Sequence, residues 1–184
     1  MNEIEFWTLI NQAKNQEEPN EWLRDILVKK ENDEIVDFEF MVQTLMQKSY
    51  QSSLWAAAYI LIDGCSDDTF DYFRGWLIAQ GKETFEKALD DHEYLAAYIT
   101  EETLDEEGYP QNEDLLSVAT EALTYRKTGD DDWDDEVYDE LLDALEQKGL
   151  AESDEIELDW EEEDLPERFP KLWERFGENP LGEY

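Results

Sequence analysis

Apolar side chains recur three or four residues apart along nearly the whole sequence, which is the spacing of one face of an α-helix. The alternation of apolar and polar residues that marks a half-buried β-strand is nearly absent. The run from Leu54 to Ile62 is apolar on almost every side and predicts a buried central helix. The sequence therefore predicts an all-α fold, a compact multi-helix bundle with an acidic C-terminal extension and a short terminal docking helix. We expect its core to contain Trp55, Tyr59, Ile62, Phe70, Phe73 and Leu77.

Residues that commonly begin and end helices divide the first hundred residues into six or seven helices. Ser66 predicts the N-terminus of one helix, with Asp67 and Asp68 in its first turn, where carboxylates interact favourably with the helix dipole. Gly64 predicts the end of the helix before it, and Gly81 the end of the helix itself.

The net charge is extreme for a folded domain. The 51 acidic and 14 basic residues give −37 among 184 residues, several times the value usual for a small domain. Hydrophobic residues nevertheless make up 41% of the chain and aromatic residues 13%, which is too much apolar material for a disordered protein. We therefore expect a folded protein with an anionic surface. Nucleic acid and anionic membranes are poor partners for such a surface, so we predict no direct nucleic-acid or membrane partner.

The negative charge is concentrated late in the chain. Residues 101–164 hold 27 acidic and 3 basic residues, a net charge of −24, whereas residues 1–100 carry −12. Two helices are still predicted in the acidic part, one from about Asp114 to Arg126 and one from about Asp134 to Lys148, because apolar residues keep helical spacing there.

These shifts in composition predict one domain in three parts. Residues 1–100 form a motif-bearing helical core, and residues 101–150 an acidic helical pair packed on that core. Residues 151–184 form an acidic strap and a terminal docking segment. Glutamate and aspartate dominate residues 151–164, which are predicted to be a solvated strap or a disordered linker.

The sequence also bears on the cellular compartment. Cys65 is the only cysteine, which excludes an intramolecular disulfide. No run of about 18 apolar residues occurs, and the first residues are acidic where a signal peptide would be basic. These features predict a soluble, unexported protein of the reducing cytoplasm.

The stretch GCSDDTFDYFRGWLIAQG at residues 64–81 combines a helix start with a dense set of charged and aromatic residues. It resembles the core motif of a bacterial domain-of-unknown-function family, in some members attached to a WGR domain. The resemblance covers most of residues 4–100 and the tail, through FWTLI at 6–10, SY and LWAAAY within 49–59, and LPERFPKLW at 165–173. It implies a shared architecture and carries no activity.

Two interpretations of this motif are open. In the structural interpretation, Ser66 caps the helix, which stabilises it by about 1 kcal/mol, and Arg74 pairs with Asp71 or Asp67. In the functional interpretation, a small cleft holds a polar ligand, and its residues are Ser66, Asp67, Asp68, Arg74 and Trp76. The motif has no histidine beside Ser66, so it pairs no nucleophile with a base, and we predict no catalytic residue.

Metal and cofactor sites have little support. His92 is the only histidine, and no second histidine or cysteine stands near it to complete a metal site. With Asp130 as position 1 of an EF-hand calcium loop, Asp135 stands where the loop needs glycine and Leu141 where it needs glutamate. The motifs for phosphate, dinucleotide and zinc binding are also absent, and we predict no cofactor and no metal. Weak binding of Mg²⁺ or Ca²⁺ by the carboxylates and an activated Cys65 thiol at a helix N-terminus stay open as alternatives.

The excess charge is compatible with three classes of function: binding to a basic partner, a small-molecule or enzymatic pocket around Asp67, Asp68 and Arg74, or solvation alone. Rows of carboxylates can occupy the phosphate sites of a basic protein and steer its association. We therefore predict a non-enzymatic acidic interaction protein that binds a basic protein partner, as an inhibitor, an immunity factor or a nucleic-acid mimic. The pocket is the alternative. The predicted acidic face consists of Asp130, Asp131, Asp132, Asp134, Asp135, Glu161, Glu162 and Glu163.

Overall fold

The computed structural model describes residues 1–130, 132–151 and 155–181. Regular structure within these residues is helical, with no strand among them, so the predicted all-α fold is confirmed. The α-helices they form are α1 (Glu3–Ala13), α2 (Pro19–Leu27), α3 (Asn32–Ser49), α4 (Ser52–Ile62), α5 (Asp67–Ala79), α6 (Lys82–Asp90), α7 (Leu95–Tyr98), α8 (Val118–Thr128), α9 (Asp135–Gln147), α10 (Leu165–Arg168) and α11 (Pro170–Phe176). Short 3-10 helices lie at His92–Tyr94, Glu101–Thr103, Asp114–Leu116 and Glu162–Asp164. None of the helices in the described residues is both long enough and apolar enough to cross a bilayer.

Contacts divide the chain into two units, each built from two separate pieces of sequence. The first unit combines residues 1–47 with 113–153, and the second combines residues 48–112 with 154–184. The divisions predicted near residues 100 and 150 lie where the amino-acid composition changes. The boundaries of the two units, after residues 47, 112 and 153, lie where contacts between residues are few.

In the first unit, α2 packs against α1 and α8, and α8 packs against α9. Phe6 and Phe38 are fully buried, with ring centroids 5.1 Å apart. Burying a phenylalanine side chain completely stabilises a fold by about 1.5 to 3 kcal/mol.

Helix α1 begins with a capping box. The Asn2 side chain accepts a hydrogen bond from the Glu5 backbone N–H, and the Glu5 carboxylate accepts one from the Asn2 backbone N–H.

The first unit also buries a carboxyl group. Glu39 of α3 is 4% exposed, and its Oε1 accepts a hydrogen bond from Gln43 Nε2 at 2.7 Å. Its Oε2 is buried and has no hydrogen-bond partner among the described residues. Burial raises the pKa of Glu39 from 4.5 to about 7, against the smaller effect of the Gln43 hydrogen bond.

In the second unit, α4 packs against α5 and α11. The rings of Trp55 and Phe70 stack at 4.6 Å, and Phe73 continues the stack at 6.4 Å from Phe70. The buried members of the predicted core are Trp55, Phe70, Phe73 and Leu77. Tyr59 and Ile62 are partly exposed instead, so the core prediction is wrong at these two positions.

Helix α4 ends in a left-handed turn. Asp63 is its C-cap with φ of 48°, and Gly64 follows with φ of 116°. Glycine adopts such positive φ values without steric cost, which explains its place after the helix.

The terminal segment packs on the second unit through α11, so the predicted docking helix is confirmed. Leu172 and Phe176 of α11 are buried, and α11 contacts α4 and α7. The Glu93 carboxylate accepts hydrogen bonds from the backbone N–H groups of Lys171 (3.1 Å) and Leu172 (2.8 Å) at the start of α11. These N–H groups have no acceptor within their own helix, so Glu93 supplies one.

Part of the predicted strap is anchored on α4. Asp159 exchanges hydrogen bonds with the Ser52 hydroxyl, and Trp160 Nε1 donates to the Ser52 carbonyl at 2.9 Å. The Trp160 ring meets the Tyr59 ring edge-on at 5.4 Å. This part of the strap is therefore held on α4 by Asp159 and Trp160, while residues 157–159 and 161–164 are exposed to solvent. Residues 152–154 of the predicted strap lie outside the described residues.

Candidate functional site

Ser66 begins the motif as the N-cap of α5. Its Oγ accepts a hydrogen bond from the Thr69 backbone N–H (3.3 Å) and lies 2.9 Å from the Thr69 hydroxyl. Asp67 and Asp68 follow in the first turn with exposed side chains, at the positive end of the helix dipole. The structure brings these three residues together at the helix start, where Ser66 is the cap.

Replacing Ser66 with alanine is expected to lower the free energy of unfolding by about 1 kcal/mol, because the Thr69 N–H loses its acceptor. Urea unfolding measures the loss. Ser66→Asp is the matched control, since aspartate caps helices as well as serine does. An equal loss in both variants contradicts a capping role.

Arg74 lies among aromatic rings of the second unit. Its side chain is 7% exposed, and its guanidinium carbon lies 4.8 Å from the centre of the Tyr50 ring and 4.7 Å from that of Phe70. A guanidinium nitrogen donates to Asp71 Oδ1, three residues earlier on α5. Burial lowers the pKa of Arg74, and the charge of Asp71 opposes that shift. The pairing with Asp71 is one of the two pairings predicted from the sequence.

Trp76 faces different neighbours. Its Nε1 donates to the Thr103 carbonyl at 2.6 Å, and its ring packs against Phe73 and Tyr98 at centroid distances of 5.6 and 6.4 Å. The side chain is 3% exposed, whereas Asp67 and Asp68 are open to solvent. The predicted ligand-binding residues therefore lie in different environments, and a shared ligand for them stays a prediction.

The activated thiol considered for Cys65 is wrong. Burial raises the pKa of Cys65 to about 12, and this effect outweighs the favourable charge of Arg74. The Cys65 carbonyl accepts a hydrogen bond from Trp55 Nε1 at 2.8 Å. The thiol therefore stays protonated near neutral pH and is a poor nucleophile.

The predicted acidic face around residue 130 is organised by the start of α9. Asp134 is the N-cap of this helix, and its Oδ1 accepts from the backbone N–H groups of Glu136 (3.0 Å) and Val137 (3.1 Å). Asp131 lies outside the described residues. The remaining members of this group are exposed: Asp130, Asp132 and Asp135. In the described ranges 1–130, 132–151 and 155–181, no three His, Cys, Asp or Glu side chains are grouped to hold a metal ion.

Helix α9 has an apolar side and an acidic side. Val137, Leu141 and Leu145 are buried at intervals of four residues. The exposed carboxylates of the helix are those of Asp135, Glu136, Asp139, Glu140, Asp143 and Glu146. Lys127 of α8 pairs with Glu140.

Large apolar side chains are exposed beside these carboxylates. Trp133 is 60% exposed and Leu142 is 44% exposed. Trp133 Nε1 donates to Asp135 Oδ1 at 2.7 Å, and its ring lies 4.8 Å from that of Tyr138. Tyr138 and Leu142 are one helical turn apart, so they lie on the same side of α9. We call Trp133, Tyr138, Leu142 and the exposed carboxylates of α9 the α9 surface.

Glu161, Glu162 and Glu163 belong to the second unit and are exposed. Glu162 Oε1 accepts a hydrogen bond from the Tyr59 hydroxyl at 3.0 Å. Burial and this hydrogen bond raise the pKa of Tyr59. The predicted acidic face therefore has members in both units, and Glu162 also helps to hold the strap on α4.

A family model described as a protein of unknown function, DUF4240, matches residues 1–127. The chain belongs to the DUF4240 family. The family resemblance predicted from residues 64–81 is thereby confirmed. The DUF4240 match includes α1 to α7 and all but the last residue of α8, whereas the α9 surface and the tail at 165–173 lie beyond it. Searches of curated proteins and of solved structures found no match to the chain.

Two features outside residues 64–81 are not predicted from the sequence. The exposure of Trp133 has a signal in the sequence, a tryptophan with carboxylates on both sides in DDDWDDE at 130–136. The sequence contains no signal for the 2.8 Å contact between Ser53 and His92, because 39 residues separate them.

Proposed function

We propose that this DUF4240 protein is an acidic interaction protein of the bacterial cytoplasm, which binds the basic surface of a partner protein through its α9 surface. Binding inhibits the partner, neutralises it or keeps it from nucleic acid. The protein then acts as an inhibitor, an immunity factor or a nucleic-acid mimic. Binding of this kind requires no catalytic group. The observation that carries the proposal is the exposed Trp133 among the carboxylates that begin α9.

Exposed apolar groups distinguish a binding surface from a merely solvated one. Carboxylates alone suffice to keep a protein in solution, and single exposed apolar residues are ordinary. On the α9 surface, however, Trp133 packs against Tyr138, and Leu142 follows one turn later. Tryptophan and tyrosine are the residues that most often dominate the binding energy of protein interfaces. This grouping favours a partner that covers the surface.

The carboxylates of the α9 surface specify the partner's charge. In the part of the chain that the structure describes, Glu136, Asp139 and Asp143 form no ion pair with lysine or arginine. Lys148 at the end of α9 pairs with Asp37 of α3 instead. A complementary partner presents lysines or arginines to these acids, and an arginine beside Trp133 gains a further cation–π contact.

The alternative, a small ligand held by Asp67, Asp68 and Arg74, has weaker support. Arg74 is buried against Tyr50 and Phe70 and pairs with Asp71, so its charge is already matched within the second unit.

Replacing Trp133 with alanine is expected to weaken binding of the partner about 30-fold, the effect typical of a central aromatic anchor. The partner is first captured from a bacterial lysate at about 50 mM salt and released at about 500 mM, where exposed charges are screened. Its affinity for purified wild type and variant is then measured by calorimetry.

Ile4→Ala is the matched control, since Ile4 is 80% exposed and lies outside the α9 surface. It is expected to bind as the wild type does. Equal affinities for wild type and Trp133→Ala, or a captured partner whose binding is insensitive to salt, contradict the proposal.

A further inference from the structure

Ser53 and His92 form a hydroxyl–imidazole pair in the second unit. The Ser53 Oγ lies 2.8 Å from His92 Nε2, and His92 Nδ1 lies 2.6 Å from the Ala88 carbonyl oxygen. A carbonyl only accepts hydrogen bonds, so Nδ1 carries the proton and donates it to Ala88. In the neutral ring, Nε2 is then the acceptor for the Ser53 hydroxyl.

The imidazole is held in this orientation by groups around it. Ala88 lies in the last turn of α6, where backbone carbonyls have no N–H donor within the helix. Its carbonyl oxygen can therefore accept the hydrogen bond from His92 Nδ1–H. The Phe169 ring lies 6.2 Å from the imidazole. The backbone at the 3-10 turn is fixed by Asp91, whose Oδ1 accepts from the Glu93 N–H at 3.0 Å. The Ser53 hydroxyl therefore contacts the His92 imidazole, and the Ala88 carbonyl orients that imidazole. A hydroxyl, a base and a group that orients the base form the arrangement of an activated serine.

Ser53 also lies where negative charge is stabilised. It is in the first turn of α4, an 11-residue helix whose N-cap Gln51 makes no capping hydrogen bond with its side chain. Backbone N–H groups of a first turn lack acceptors within their helix, and the helix dipole is positive at this end. Both favour an oxyanion that develops beside the Ser53 Oγ. Ser53 and His92 are both partly exposed.

We propose that Ser53 is a nucleophile activated by His92 and acts on small carboxylic esters. This activity goes beyond the proposed binding function and does not depend on it. The sequence predicts no catalytic residue, and Asp90, Asp91 and His92 indicate a turn and a helix start there. The contact between Ser53 and His92 forms only through tertiary packing.

The reaction has two steps. The Ser53 Oγ attacks the ester carbonyl carbon while its proton passes to His92 Nε2, and the leaving alcohol takes that proton as the C–O bond breaks. Water then attacks the acyl-serine and gives its proton to Nε2, and the acid departs as Ser53 recovers its hydrogen. The Asp159 carboxylate accepts a hydrogen bond from Ser52, the neighbour of Ser53, so a neutral or cationic substrate is favoured over an anionic one.

A neutral fluorophosphonate reports the first step directly. The Ser53 Oγ forms a bond to phosphorus, fluoride leaves, and the proton goes to His92. Wild-type protein is expected to gain one phosphonyl group, which peptide mapping by mass spectrometry places on Ser53. His92→Gln is expected to slow the labelling at least about 100-fold, the usual contribution of a general base.

Ser117→Ala is the control, because Ser117 is partly exposed, as Ser53 is, but its hydroxyl donates to the Asp114 carbonyl. It is expected to label at the wild-type rate. Labelling of Ser53 no faster than that of Ser117 in the wild type overturns the proposal, and this measurement needs no variant to fold. Labelling at Ser53 that is unchanged in a folded His92→Gln variant overturns the role of His92.

Discussion

Replacing Arg74 with alanine is expected to lower the free energy of unfolding by about 3 kcal/mol, the usual cost of truncating a long buried side chain. The variant loses the contacts of the guanidinium with the Tyr50 and Phe70 rings and leaves a cavity beside them. Asp71 is 48% exposed, so water can solvate its carboxylate once Arg74 is gone. The loss therefore reflects packing and ring contacts more than an orphaned charge.

Arg74→Met separates these contributions, because methionine refills most of the space without a charge. It is expected to recover more than half of the stability lost in Arg74→Ala, since buried ion pairs often add little over apolar packing. Lys87→Ala is the control for removing one positive charge from the same unit, as Lys87 is 52% exposed. Denaturant unfolding measures all three variants. A stable Arg74→Ala protein contradicts the structural role and returns Arg74 to the ligand interpretation.

Glu39→Gln is expected to stabilise the protein by about 3 kcal/mol above pH 7 and to have little effect near pH 4.5. The pKa of Glu39 is raised from 4.5 to about 7 in the folded state, so the folded protein binds more protons than the unfolded chain between these values. Stability therefore falls as the pH rises through this window. Above pH 7 the wild type carries the full cost of a buried carboxylate, which glutamine does not have.

The measurement is the difference in unfolding free energy between variant and wild type from pH 4.5 to 8, in which the titration of the other acids largely cancels. Glu34→Gln on the same helix is the matched control. Lys30 donates to Glu34 and lowers its pKa, so this carboxyl titrates below the window and its difference is expected to stay flat. A flat difference for Glu39→Gln contradicts a buried carboxyl with a raised pKa.

Helix positions could be predicted from the sequence because they depend on nearby residues. The predicted helix from about Asp134 to Lys148 agrees with α9 (Asp135–Gln147), since Asp134 caps it and its apolar residues recur every four positions. The spacing of Tyr59, which is the same as that of buried residues, predicts that it lies in the core. Its hydroxyl and ring instead meet Glu162 and Trp160, about a hundred residues later, and helical periodicity contains no information about such contacts.

The same limit applies to the candidate sites. Ser66 was recognised as a helix cap because its partner, Thr69, is three residues away. The rings around Arg74 include Tyr50, which is 24 positions earlier, and Ser53 meets His92 only through the packing of α4 near the 3-10 turn. The division into two discontinuous units is also set by tertiary packing, so composition placed boundaries elsewhere.

The interleaved pieces have a consequence for how the protein is made. Residues 1–47 need α8 and α9 to complete the first unit, and residues 48–112 need α10 and α11 to complete the second. While a ribosome is still translating residue 112, the nascent chain holds part of each unit and the whole of neither. The side of α2 that packs on α8 stays uncovered until residues 118–128 are made, and the strongly negative residues 130–164 then follow when protection from self-association is most needed.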